Sequence, residues 1–203
     1  MKKLFAFLLF ALAFASCADN DATSTEREQP EAAVEVPRSV VLEPLKKLVL
    51  LQKENPSFLA DNFSDFFPAG AMDTTAARRL EKERVMRYAS YLIYNKDSSL
   101  ALDTYSYSHF FLPGKGDQGL KSGSPDTELA VVNFKEDTRQ RIAYFGPSYT
   151  LLDAGWKDNS TVLVAVGAIT GENKIHPEVW ELSLQQFSKK ISAYPDTLLY
   201  QVQ

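Results

Sequence analysis

Two stretches of this chain are built to the same β pattern, and that pattern limits the fold more than any other feature. In the first, Tyr91-Leu-Ile-Tyr94 leads into the polar run Asn95-Lys-Asp-Ser-Ser99 and then into Leu100-Ala-Leu-Asp-Thr-Tyr105. In the second, Asp153-Ala-Gly-Trp156 leads into Lys157-Asp-Asn-Ser160 and then into Thr161-Val-Leu-Val-Ala-Val166. Sliding one onto the other sets Tyr94 on Trp156, Asp97 on Asn159, and Leu100-Ala-Leu102 on Val162-Leu-Val164. Apolar and β-branched runs around a short Asn, Asp and Ser cluster read as strand, tight turn, strand. Further along, Leu129, Val132 and Phe134 fall on Val179, Leu182 and Leu184, while Thr138, Arg139 and Tyr144 fall on Ser188, Lys189 and Tyr194. The offset changes between the two halves, so the first unit carries an insertion, and the Gly-rich stretch Pro113 to Pro125 is the place for it.

Each unit, residues 88–145 and 150–194, thus reads as a four-strand antiparallel meander. The texture resembles the blades of β-propellers, including WD-like and TolB-like modules, over residues 88–194. That resemblance implies blade-like sheets packed in succession. Closing a propeller takes about four blades, and repeat stacks generally need about three units, whereas two are visible. The expectation is therefore a mainly β domain, either an open blade-like pair or a two-sheet sandwich. Two unrelated meanders with similar turn chemistry would give the same class.

One or two helices should precede the sheets. Glu43 to Glu54 places Leu45, Leu48 and Val49 on one face and stops at Asn55-Pro56. Thr74 to Arg87 opens after Asp73, a suitable N-cap, and spaces Arg79, Glu83 and Arg87 at i,i+4. Between them Phe58, Phe63, Phe66 and Phe67 are expected to plug an open side of the sheets.

The amino terminus is a different material. Lys2 and Lys3 precede an uncharged run from Leu4 to Phe14, and Ala15, Ser16 and Cys17 follow. A basic start, a short apolar run and a small-residue exit describe a secretory signal, residues 1–16. The run is shorter than the roughly 20 residues a membrane-spanning helix needs. Phe14-Ala15-Ser16-Cys17 resembles the lipobox of bacterial lipoproteins, with Phe14 where the family usually has Leu. The resemblance implies that Cys17 is the lipid attachment site, carrying diacylglycerol and acyl chains such as palmitate. It also implies an exported protein, lipid-anchored at a bacterial outer membrane. Plain cleavage after Ala13-Phe14-Ala15 is the alternative. Each buried methylene adds about 0.8 kcal/mol of membrane affinity, so several acyl chains anchor firmly.

Residues 17–36, rich in Asp, Glu, Ser and Thr and free of aromatics, are expected to be a disordered tether. It would hold the domain roughly 25 Å from the lipid on average. Acidic residues just after the cysteine are similar to those of Bacteroidetes lipoproteins, although Ala18 intervenes, which leaves the periplasmic or surface face open. Residues 37–203 suit one domain. Cys17 is the only cysteine, so no intramolecular disulfide supports it.

The chain holds 22 basic and 26 acidic residues, and removing Lys2 and Lys3 makes it more acidic still. That balance argues against a nucleic-acid partner. Gly114-Lys-Gly116-Asp-Gln-Gly119 matches a dinucleotide fingerprint in letters, but Gly123 and Pro125 follow where a helix would have to begin. His109 and His176 lack a second His or Cys at ligand spacing, so no metal centre is expected. No G-x-S-x-G elbow supplies a serine nucleophile, and no catalytic residue or cofactor is assigned. Paired carboxylates are the one catalytic scheme the composition allows, with Asp103 and Asp153 as the residues that interrupt strand patterns. The favoured function is a non-catalytic module that binds an envelope protein or glycan. The alternative is a carboxylate-dependent glycan hydrolase.

Overall fold

Period-two alternation becomes strand along nearly half of the computed structural model. The model describes Leu45, Leu48 and residues 51–200, with all side chains in the latter range except those of residues 60, 65–68 and 117. Cys17, the leader 1–16, the tether 17–36, half of the helix expected over 43–54, and the side chains of Phe66 and Phe67 lie outside the described residues. Helix α1 (Leu51–Glu54) and strand β1 (Ser64–Ala71) come first, then β2 (Arg78–Arg79) and helix α2 (Lys82–Met86). The first meander contains β3 (Ile93–Tyr94), β4 (Leu100–Asp103), an inserted hairpin of β5 (His109–Phe111) and β6 (Leu120–Ser122), then β7 (Thr127–Asn133) and β8 (Thr138–Phe145). The second contains β9 (Tyr149–Trp156), β10 (Thr161–Gly171), β11 (Lys174–Ser183) and β12 (Ser188–Ala193), followed by the short β13 (Leu198–Leu199).

Two antiparallel sheets result. One has the order β2-β8-β7-β4-β3; the other has the order β1-β12-β11-β10-β9, with β13 on β11. The fold is mainly β, with two small helices. In each sheet a strand from the N-terminal region extends the meander at its last strand, β2 on β8 and β1 on β12.

The turns are built alike. Asn133 pairs with Thr138, and Ser183 pairs with Ser188. Asn133 Oδ1 accepts the Glu136 N–H at 3.1 Å, and Ser183 Oγ accepts the Gln186 N–H at 3.3 Å. The next residues, Asp137 and Phe187, both turn left-handed, at φ of 53° and 50°. In the earlier turns Asp97 and Asp158 each accept the N–H two residues on, from Ser99 at 2.9 Å and Ser160 at 2.8 Å. These carboxylates mimic a backbone turn. Tyr94 closes on Ala101, whereas Trp156 closes on Val162, so the second turn is one residue shorter. Leu102 therefore corresponds to Leu163 rather than to Val164.

That register fixes how the sheets stack. Leu102, Leu129 and Val131 face the core between the sheets, which Val162, Val164, Trp180 and Leu182 fill from the other side. Leu163 and Val179, which correspond to Leu102 and Leu129, face away from that core. The back of one meander thus packs on the front of the next. Both free faces are covered. Leu45, Leu48, Leu51, Phe58 and Phe63, with Tyr194 and Leu198, cover Leu163, Ala165 and Val179. Leu80, Val85 and Leu92 cover Ala101 and Val132. Phe58 and Phe63 pack on Tyr194 at ring separations of 5.0 and 5.4 Å, so these two phenylalanines plug a sheet face as expected.

One sequence expectation changes. Thr74 to Arg79 is extended rather than helical, and α2 begins only at Lys82, after Glu81, which makes no side-chain cap. The edge of β8 decides this. The Thr75 N–H donates to Arg141 O at 3.2 Å, and the Leu80 N–H donates to Asp137 O at 2.8 Å, bonds a helix could not make. Asp73 consequently caps nothing, and Arg79 lies 3.8 Å from Asp137 rather than beside Glu83. The insertion forms an ordered hairpin in which β5 pairs with β6. His176 and Pro177 sit within β11, opposite Ala168 and Gly167, because the β10–β11 ladder runs on to Lys174.

Candidate functional site

The outer face of the first sheet carries a cavity of about 290 Å³ between that sheet, the strap 75–81, α2 and the loop after β4. Alternation builds it. Arg139 and Arg141, two apart on β8, share a face, and β2 sets Arg78 directly across from Arg139. With Arg79 and Arg84, five arginines line the cavity. Every described arginine except Arg87 is there, and no lysine is. Glu81, Glu128, Ser106 and Tyr107 complete most of the wall.

Arg139 is held from below. Its Nε donates to Asp103 Oδ2 at 2.9 Å, and its Nη1 donates to Glu128. Asp103 is 1% exposed and fully used. Its Oδ1 accepts the N–H groups of Tyr105 and Ser106 at 3.2 and 2.9 Å, and its Oδ2 also accepts the Ser106 hydroxyl. Burial pulls the Arg139 pKa down, but the charges of Asp103 and Glu128 and their hydrogen bonds outweigh it, so the guanidinium is held more firmly protonated than usual. Arg84 donates through Nε and Nη2 to Ser106 O at 3.3 and 2.9 Å, which fixes the rim. Among the described residues, Arg139 Nη2 and Arg141 Nε are buried donors without a partner. Such a group costs about 1–3 kcal/mol if nothing fills the site.

An aromatic rim adjoins the arginines. Tyr107 is half-exposed and meets Tyr144 edge-on at 6.2 Å. The Tyr144 hydroxyl donates to Asp126 at 2.5 Å, and that bond pushes its pKa up to about 12, so the phenol stays neutral. Arg141 lies 5.5 Å over the same ring.

The residues singled out by sequence are not brought together. Asp103 lies on β4 beneath the cleft, and Asp153 lies on β9 of the other sheet. His109 Nδ1 meets Ser108 Oγ at 2.9 Å, and its ring packs on Tyr105 at 4.6 Å. His176 Nε2 donates to Tyr194 O at 2.6 Å. Neither histidine lines the cleft. Gly114, Gly116 and Gly119 form the tip of the β5–β6 hairpin, where a 3-10 turn over Gly116–Gly119 leads back into β6 and not into an α-helix. Among the described residues no group of three His, Cys, Asp or Glu is placed to hold a metal, and no helix is long and apolar enough to cross a membrane.

The tryptophans divide. Trp180 is buried, donates from Nε1 to Glu178 Oε2 at 2.7 Å, and carries Lys189 Nζ 4.2 Å over its ring. Trp156 is half-buried at the sheet junction, where its Nε1 donates to Ile93 O at 2.8 Å, and it also lines a shallow groove between the two polar turns. It joins the two units rather than sitting in the core of one.

Sequence reading missed the arginine cleft. Its local signal was Arg139-x-Arg141, two cations on one face of a strand; nothing local pointed to Arg78 and Arg84 as their neighbours. The chain matches no family model, no curated protein and no solved structure.

Proposed function

We propose that this is an exported lipoprotein, anchored through Cys17 at a bacterial outer membrane, whose domain is a non-catalytic binding module for an acidic group of an envelope protein or glycan. The observation that carries the binding reading is Arg78 directly opposite Arg139. Like charges facing each other across a ladder cost stability, and an anion seated between them recovers it. Asp103 is fully hydrogen-bonded and Asp153 is on another sheet, so these two do not form a carboxylate pair. The blade-like reading of the two units belongs to the same proposal, supported by their shared turns and back-to-front stacking.

Two experiments test it. Cys17→Ser should move the protein out of the membrane fraction, and unchanged membrane association would defeat the anchor. Millimolar citrate should raise the thermal midpoint above that in sodium chloride of equal ionic strength, because a ligand of the folded state stabilises it. Arg78→Ala should remove that rise. No rise in the unaltered protein would defeat the cleft as a binding site.

A further inference from the structure

We infer that the arginine cleft is a subsite for one acidic sugar, a hexuronate-type residue, whose carboxylate sits among Arg78, Arg139 and Arg141 and whose ring lies against Tyr107. This rests on the cleft being the binding site and names what it takes.

The choice of cation is the first argument. A field meant only to attract anions could use lysine, and Lys53, Lys96, Lys121, Lys135 and Lys174 are exposed elsewhere, yet none lines this cavity. Guanidinium is a planar fork that matches a planar carboxylate with two parallel hydrogen bonds. Arg139 Nη2 and Arg141 Nε are the donors still without a partner among the described residues, and a carboxylate above them, or one water beneath it, completes both.

The acids in the wall are the second argument. Glu81 and Glu128 line the cavity among the arginines. A phosphate dianion would set two negative charges at close range to both and brings a single hydroxyl for them to accept. A uronate carries a single charge and several hydroxyls, which suit Glu81, Glu128 and Ser106 together. The same walls leave an acidic peptide side chain with its carboxylate matched and the remaining acceptors unused.

The third argument is Tyr107. Its ring is half-exposed beside the arginines and is braced by Tyr144, whose hydroxyl is fixed on Asp126. An exposed aromatic face held in place beside hydrogen-bonding groups suits a sugar, whose C–H face is apolar and whose edge is polar. The cavity volume of about 290 Å³ falls at the lower end of small-ligand sites, room for one ring rather than a polymer. A longer glycan would therefore enter by an acidic end or branch.

The test is calorimetric titration of the detergent-solubilised full chain at constant ionic strength. The probes are methyl glucuronide, methyl glucoside, inorganic phosphate and a blocked Asp-Glu dipeptide. Glucuronide should bind at least about tenfold more tightly than each of the others. Arg141→Lys, which keeps the charge and loses the fork, and Tyr107→Ala, at an exposed position, should each weaken glucuronide about tenfold while the thermal midpoint holds. Glucuronide binding no better than glucoside, or unaffected by Tyr107→Ala, overturns the sugar assignment. Phosphate or dipeptide binding that is preferred and lost in Arg141→Lys also overturns it, while leaving the cleft as the binding site. If none of the probes binds, both readings fall.

Discussion

Arg139 is the residue on which fold and site meet. It is a cation wedged between two carboxylates at the floor of the cleft, and its partner Asp103 is almost wholly buried. Removing one member of such a set leaves the others charged and desolvated, which costs about 3–5 kcal/mol. Asp103→Ala should therefore lower the urea midpoint sharply, because it strands Arg139 and the N–H groups of Tyr105 and Ser106. A loss below about 1 kcal/mol would show that the cleft floor is wetter than the structure has it. His109 offers a milder probe. Burial pushes its pKa down, partly opposed by a hydrogen bond to the backbone carbonyl of Tyr105. The folded protein thus binds that proton less readily than the unfolded chain. Its contribution is complete above the unfolded value of 6.5 and is lost as pH falls through the depressed folded value. Thermal midpoints should fall on acidification from about pH 7 to about pH 5, and His109→Gln should flatten part of that slope. Equal slopes in both proteins would remove His109 from the account.

At the scale of elements, the four-residue turns set the shape of each meander, and one of them is strained. Phe187 is exposed and held at φ 50°, where a side chain clashes with its own backbone. Phe187→Gly should raise stability by about 0.5–1 kcal/mol despite the freer unfolded chain, because the relief exceeds the entropy added. A lower thermal midpoint would show that the Phe187 ring contributes packing that its exposure conceals. These turns also show what sequence could reveal. Asp97, Asn133, Asp158 and Ser183 act on N–H groups two or three residues away, so their chemistry is local and was readable. So was the alternation Val162, Val164, Val166, which fills one face of a central strand. The strap 74–79 was not. Its helix-forming residues and i,i+4 charges promised a helix, and only the open edge of β8, some sixty residues on, could override them. The cleft escaped for the same reason, since Arg78 and Arg139 become neighbours only through that pairing.

The described domain is held by a core shared between its two large sheets, and that determines how it unfolds. Leu102, Leu129 and Phe145 from one sheet and Val162, Val164 and Trp180 from the other bury one another's faces. Trp156 adds a hydrogen bond from the second meander to Ile93 in the first. The second sheet also borrows β1 and a cover of Leu45, Leu51, Phe58 and Phe63 from the N-terminal region. Neither meander can bury its apolar residues alone, at about 25 cal/mol for each Å² left in water. Unfolding should therefore be a single cooperative transition, the same by tryptophan fluorescence and by circular dichroism. Trp180→Ala should shift that transition down by about 3–5 kcal/mol without splitting it. A fragment of residues 147–203, which keeps all four strands of the second meander, should remain unfolded in isolation. It loses the Leu102, Leu129 and Phe145 face, the β1 edge partner and the aromatic cover together. A folded fragment with a cooperative melt would show that one meander is a self-sufficient unit and that the shared core is merely an interface.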